Sequence, residues 1–225
     1  MKKLKINVKG SIIPNGDKWI YDWLGIDATS PRDVSDALEK ANGQPVDVDI
    51  NSGGGDIFAG SEIYTALRGY AGKVSIHIVG LCASAASVIA MAGTSDMSPT
   101  AMMMVHNVSS YASGDYHDMD KQSDILQQAN KTIAAAYVGK TGMSEDDALK
   151  LMDIETWLTA QQAVEKKLVD KVMFAGSPQL AASLGNGMIP RDTIEKIRNQ
   201  VTNPQAEKQA DFLQTKLNLL KVKVI

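Results

Sequence analysis

The sequence predicts an α/β fold, and three observations lead there. Val46-Asp47-Val48-Asp49-Ile50 and Val74-Ser75-Ile76-His77-Ile78-Val79 alternate apolar and polar residues, the period of a strand. Each is followed by a stretch of helical character, Ile57 to Tyr70 after the first and Ala85 to Ala92 after the second. Strands alternating with helices argue for an α/β core. Composition is the third observation: 225 residues, 44% hydrophobic and 22% charged, suffice for one sizeable core.

Taken in order, Leu4, Ile6 and Val8 alternate and read as an edge strand closed by Gly10. The segment around Trp19, Trp23 and Leu24 fits no single period. Ser30-Pro31-Arg32-Asp33 starts a helix, with serine as cap and proline at the first position, and the helix runs through Val34, Ala37 and Leu38 to about Ala41. The strand at 46–50 turns at Asn51-Ser52-Gly53-Gly54-Gly55-Asp56 into the helix at Ile57. The strand at 74–79 leads through Gly80-Leu81-Cys82-Ala83-Ser84 into a short helix that is apolar on every side and ends at Gly93. Met102-Met103-Met104-Val105 is an apolar strand ending in His106-Asn107, and Tyr111 to Tyr116 is rich in turn residues. From about Asp118 to Val138 a long helix carries Met119, Ile125, Leu126, Ala129 and Ile133 as its stripe, with Gly139 and Gly142 closing it. Ser144 opens a helix through Met152, Thr159 starts another, and Leu168 to Val172 reads as a last strand. After Gly176 the composition shifts to an Ala/Gly/Ser-rich linker. Helix-like stretches then follow, with stripes at Ile194, Ile197 and Val201 and at Phe212, Leu213, Leu217 and Leu220. The expected organisation is therefore a domain over 1–176 and a linker with a helical extension over 177–225.

Composition also excludes some functions. A formal net charge of −3 gives no basic field to recruit nucleic acid or an anionic membrane. No run is long enough to span a membrane, and the basic start, Met1-Lys2-Lys3, lacks the apolar core of a signal peptide. Cys82 is the one cysteine, so no disulfide forms within the chain, which fits a reducing cytosol; it reads as a small buried hydrophobe.

Two stretches carry candidate chemistry. Ser84 stands at a small-residue turn between strand and helix, where the helix dipole and free N–H groups favour negative charge. A serine nucleophile needs that setting, because its oxyanion intermediate must meet donors already in place. On local sequence alone the helix-cap reading is favoured, since caps far outnumber nucleophiles. The Gly53-Gly54-Gly55 turn reads as a flexible loop, as a phosphate cradle without its Lys-Ser/Thr partner, or as a backbone donor to an oxyanion. His77, in a strand, and His117, in a polar turn, read as structural or solvated.

Together these pieces resemble the ClpP family of serine peptidases over roughly Val46 to Val172. Asn51-Ser52-Gly53-Gly54-Gly55 resembles the family's Asn-Ser-Pro-Gly-Gly with Gly53 in place of proline, and Ala59-Gly60 and Ile63-Tyr64 follow at family spacing. Gly80-Leu81-Cys82-Ala83-Ser84-Ala85 resembles Gly-x-Ala-Ala-Ser-Met, and Met104-Val105-His106-Asn107 resembles Met-Ile-His-Gln. Glu155-Thr156-Trp157-Leu158-Thr159-Ala160, Ala163-Val164 and Leu168-Val169-Asp170 resemble Asp-Arg-Phe-Leu-Ser-Ala, Glu-Ala-Val and Gly-Leu-Val-Asp. Four ordered motifs shift the reading of Ser84 from cap to nucleophile.

The resemblance implies a ββα spiral core of the ClpP/crotonase type with a protruding handle helix. It implies Ser84 as nucleophile, His106 as general base and acid, and Glu155 as the orienting acid where the family has Asp, with Asp153 as rival. The oxyanion donors would be the N–H groups of Gly55 and Ala85. Asn107, Val108, Ser109, Ser110 and Tyr111, in the stretch to Gly114, would bind the polypeptide substrate, and no cofactor or metal is implied. The handle, Asp118 to Val138, would join homo-oligomeric rings, heptameric or stacked in two. The stretches Ser84 to Gly93 and Glu155 to Ala160 look most like ClpP-related head maturation proteases of tailed phages and prophages, which process capsid or scaffold proteins. The alternative is the proteolytic subunit of an ATP-dependent protease fed by an AAA+ unfoldase. Ranked lower are a crotonase-like acyl-CoA enzyme and an inactive ring scaffold.

Overall fold

The computed structural model describes residues 4–175. The predicted linker and helical extension over 177–225 lie outside the described residues. Element by element, the chain forms β1 (Leu4–Ile12), α1 (Lys18–Leu24), β2 (Ala28–Thr29), α2 (Pro31–Ala41), β3 (Val46–Gly55) and α3 (Ile57–Arg68). It continues with β4 (Val74–Ala83), α4 (Ala85–Ala90), β5 (Thr94–Met97) and β6 (Met102–Val105). Then come α5 (Tyr116–Thr141), α6 (Glu145–Asp153), β7 (Thr156–Thr159), α7 (Ala160–Glu165) and β8 (Lys171–Val172).

One sheet runs β2-β1-β3-β4-β5-β8, with every neighbouring pair parallel. Parallel neighbours need crossovers, and α2, α3 and α4 supply them. The α/β expectation holds because the pattern along β3 and β4 has period two. Val46, Val48, Ile50, Ile76 and Ile78 are fully buried, while Asp47, Asp49, Ser75 and His77 stay partly exposed on the other face. Truncating Ile78 to Ala would cost about 2–5 kcal/mol, as for other large buried aliphatics. On the polar face His77 Nδ1 lies 2.6 Å from an Asp96 carboxylate oxygen. His117 is exposed in the first turn of α5, its ring 3.9 Å from that of Tyr116.

Two strands overrun their predicted ends, and the overrun places the site. The three-glycine stretch is not a free turn but the last part of β3, where Ser11 and Ile12 of β1 pair with Gly54 and Gly55. Likewise β4 does not stop at Val79 but continues to Ala83. Its free edge meets β5 over Ser75 to Ile78, then β6 over Leu81 to Ala83. This change of neighbour brings the end of β6 beside the start of α4.

Other departures are smaller. β1 is not an edge strand: β3 pairs along it, β2 pairs its last two residues, and Gly10 sits inside it at φ 66°. The Trp19–Leu24 segment is the short helix α1, with both tryptophans exposed. Helix α5 extends to 26 residues, with Gly139 inside and Gly142 as a left-handed cap. It buries Ile133, Ala134, Ala136 and Tyr137 near its C-terminal end, while Met119 and Ile125 nearer its start remain exposed. β5 and β7 were not predicted; β7 pairs antiparallel with β6. β8 spans only Lys171–Val172. Among the described residues no helix is long and apolar enough to cross a membrane.

Candidate active site

Ser84 lies between the last residue of β4 and the first of α4, at φ 56° and ψ −128°. An L-residue rarely adopts that conformation, at a cost of about 1–3 kcal/mol, so the surroundings must impose it. Its N–H donates to Met104 O of β6 at 3.0 Å. Its carbonyl accepts the Ser87 N–H at 2.9 Å, the Val88 N–H at 3.4 Å and the Ser87 hydroxyl at 2.7 Å. Ser84 therefore serves as a cap through its carbonyl, and its own side chain makes no capping bond. Its Oγ is free to face elsewhere.

It faces His106. The ring Nε2 is 2.8 Å from Ser84 Oγ, in hydrogen-bond range. Register explains the meeting: Met104 pairs with Ala83 across β6 and β4, so the residue two past Met104 leaves the strand beside Ser84. A hydroxyl bonded to a neutral imidazole can lose its proton as it attacks an electrophile, which is the arrangement of an activated nucleophile.

Gly54 lies against this elbow. A Cβ on Gly54, at φ 94°, would fall 2.6 Å from Ser84 Cβ, 2.8 Å from Ala83 O and 3.0 Å from Ala85 N. Only glycine lets β3 approach the nucleophile turn so closely. Gly55 lines the same cleft as Ser84. Ala85 supplies the first N–H of α4, which has no carbonyl one turn back within the helix. Ala85 thus follows Ser84 directly in the chain, and Gly55 shares its cleft.

The cleft, about 290 Å³, is lined by Ser84 and His106 at its floor and by Ile125, Leu126, Ala129 and Ile133 of α5 on one wall. The α5 stripe read from periodicity is therefore the wall of a cleft as well as a packing face. Asn107, Val108, Ser109 and Ser110 line the cleft too, while Tyr111 is fully exposed and borders an adjoining groove with Ser109 and Ser110. This segment belongs to no sheet; Val108 N–H donates to Asn130 Oδ1 of α5 at 2.7 Å. Asn130 and Tyr137, both on α5, were not singled out from sequence. Tyr137 lies one turn beyond Ile133, where the stripe could have been extended.

The acid is not brought to the histidine. Glu155 is exposed at φ 48°, and its carboxylate accepts the Trp157 indole N–H at 3.1 Å. Asp153 accepts the Asn107 amide at 2.7 Å, leaving Asn107 Oδ1 buried without a partner. Among the described residues neither carboxylate is ion-paired with His106. Cys82 is buried two residues before Ser84; its Sγ donates to Ala86 O at 3.4 Å, and burial pushes its thiol pKa well up, so it stays protonated and inert.

Comparison with known proteins shows the family and the fold. The Clp protease family matches residues 36–176. The ATP-dependent Clp protease proteolytic subunit 1 of Chlamydia abortus is 30% identical over 144 residues, 61% of this chain and 75% of that protein. The ATP-dependent Clp protease proteolytic subunit of Bacteroides fragilis is 29% identical over 134 residues, 58% of this chain and 65% of that one. Among solved structures, a ClpP1 mutant from Listeria monocytogenes superposes with a TM-score of 0.63 at 20% identity, covering 76% of this chain and 91% of that chain, a likeness of fold.

Proposed function

Since the chain belongs to the Clp protease family of serine endopeptidases, we propose that it hydrolyses peptide bonds with Ser84 as nucleophile and His106 as general base and acid. The observation that carries this reading is the 2.8 Å contact between His106 Nε2 and Ser84 Oγ at a strained strand-to-helix elbow. Ser84 Oγ attacks the scissile carbonyl and its proton passes to His106 Nε2. The N–H groups of Gly55 and Ala85 receive the oxyanion. The imidazolium then protonates the leaving amine, and water releases the acyl group by the reverse sequence. Glu155 or Asp153 completes the triad once the exposed 153–155 segment turns toward the ring. Asn107 to Tyr111 lie along the polypeptide substrate, with the apolar α5 wall receiving a side chain.

The biological setting that fits the named relatives is the proteolytic subunit of a cytosolic ATP-dependent protease. In it, this chain forms a homo-oligomeric ring, of seven or of two stacked sevens, and an AAA+ unfoldase feeds it polypeptide. A second reading, processing of capsid or scaffold proteins in phage head maturation without an ATPase, rests on the Ser84–Gly93 and Glu155–Ala160 stretches. Hydrolysis of a fluorogenic peptide tests the chemistry: the parent should cleave it and Ser84→Ala should lose about 10⁴–10⁶ in rate. An unchanged rate in Ser84→Ala would sink the assignment. Capture of an AAA+ ATPase or of a capsid protein by tagged Ser84→Ala in cells separates the two settings.

A further inference from the structure

The backbone of Ser84 is held by a hydroxyl chain outside the four family motifs. Ser87 Oγ, fully buried, lies 2.7 Å from Ser84 O and 2.8 Å from Tyr137 Oη. Proton bookkeeping fixes the direction. The Ser84 carbonyl can only accept, so the single Ser87 proton goes there. Tyr137 must then donate to Ser87 Oγ. Burial pushes the Tyr137 phenol pKa well up, so it keeps the proton it donates. The chain reads Tyr137 O–H to Ser87 O–H to Ser84 C=O, and each link polarises the next.

The Ser84 carbonyl and the Ala85 N–H belong to one peptide unit. In a planar trans peptide the two point in opposite directions. Pinning the carbonyl toward Ser87 therefore aims the Ala85 N–H away from it, on the side where an oxyanion donor is needed. We infer that Ser87 and Tyr137 are positioning residues that set the Ser84–Ala85 peptide plane, and so the aim of the Ala85 donor. This rests on the peptidase reading given above. It also links the elbow to α5, because Tyr137 itself borders the cleft whose wall α5 supplies.

The test compares Tyr137→Phe, Ser87→Ala and the double variant with the parent in steady-state peptide hydrolysis. Affinity for a peptidyl trifluoromethyl ketone, whose alkoxide adduct occupies the oxyanion site, is measured alongside. Tyr137→Phe keeps the ring and its packing, and thermal melting verifies folding. The expected result is a fall in kcat of about tenfold for Tyr137→Phe, the rate equivalent of one hydrogen bond, with KM little changed and ketone affinity falling in parallel. In the Ser87→Ala background, Tyr137→Phe should cause no further loss. Unchanged kcat in Tyr137→Phe overturns the inference, and so does an equal loss in both backgrounds. A loss confined to KM does the same, since it would mean that Tyr137 only shapes the cleft. A parent that neither cleaves peptide nor binds the ketone would instead sink the peptidase reading itself.

Discussion

Ser84 and Glu155 share a rare feature, positive φ in a residue other than glycine, at 56° and 48°. Their surroundings differ sharply. Ser84 is fixed through its N–H, through three donors to its carbonyl, and by the close approach of Gly54. The helix behind it is buried throughout. Glu155 is fixed by its N–H to Met152 O at 3.1 Å and by a side-chain contact with an exposed tryptophan. The same backbone excursion is held by many contacts at Ser84 and by few at Glu155. The proposed nucleophile and oxyanion donors sit on buried elements, whereas Asp153 and Glu155, the proposed acids, are exposed. Preorganisation is required where charge develops, and less where an acid only orients a ring.

The contrast makes predictions of decreasing size. Replacing His106 with Ala removes the base beside Ser84 and should lower kcat/KM about 10⁴-fold; a loss under tenfold would mean another group takes the Ser84 proton. Gly54→Ala should force β3 away from Ser84 and lower kcat about 10²–10³-fold, as when an oxyanion donor is displaced. Activity retained there, by the same peptide assay, would show the elbow to be adjustable after all. On the other half, Glu155→Gln should lower kcat by only about ten- to a hundredfold, less than for a buried triad acid, because this carboxylate is exposed and apart from the ring. Asp153→Asn should cost less still. A large loss in Asp153→Asn alone would move the orienting role to Asp153.

The smallest effect concerns the frame behind the site. Lys140 of α5 donates to Gly93 O at 2.9 Å and to Asp170 at 2.6 Å, and the Ser95 N–H also donates to Asp170 at 2.6 Å. Partial burial alone would raise the Asp170 pKa, but the hydrogen bonds from Lys140 and Ser95 outweigh it and hold the carboxyl below its ordinary value. A depressed folded pKa gives stability that is full above the ordinary carboxylate value, near 3.9, and lost as pH falls through the folded value. Asp170→Asn should therefore melt lower at pH 7, by about 0.5–1 kcal/mol given its partial exposure, and match the parent at the lowest pH. A gap that persists undiminished at low pH would show that charge has no part in it.

How much was legible in the sequence follows the same division. The elbow was readable because it is local: alternating β4, small residues, then an all-apolar helix leave little choice of conformation. His106 was readable only through its resemblance to the family's Met-Ile-His-Gln motif, because a lone histidine after a strand is usually structural. That β3 and β4 overrun into the glycines and into Cys82-Ala83 was not, because those residues have no strand propensity and are held there by neighbouring strands. Strand β7 has only Leu158 pointing inward to mark it, and its pairing with β6 is long-range. The place of the Glu155 carboxylate depends on a left-handed backbone that no residue type at 155 announces. Tyr137 was missed because a buried tyrosine on an apolar stripe looks like core until its hydroxyl partner is seen.

Labelling with a fluorophosphonate, followed by peptide mapping, tests most directly that Ser84 is an activated nucleophile built into the core. One label per chain should appear on Ser84 in the parent and in Glu155→Gln, and be lost in Ser84→Ala. Label found on Ser87 or elsewhere, or equal labelling of Ser84→Ala, would contradict it.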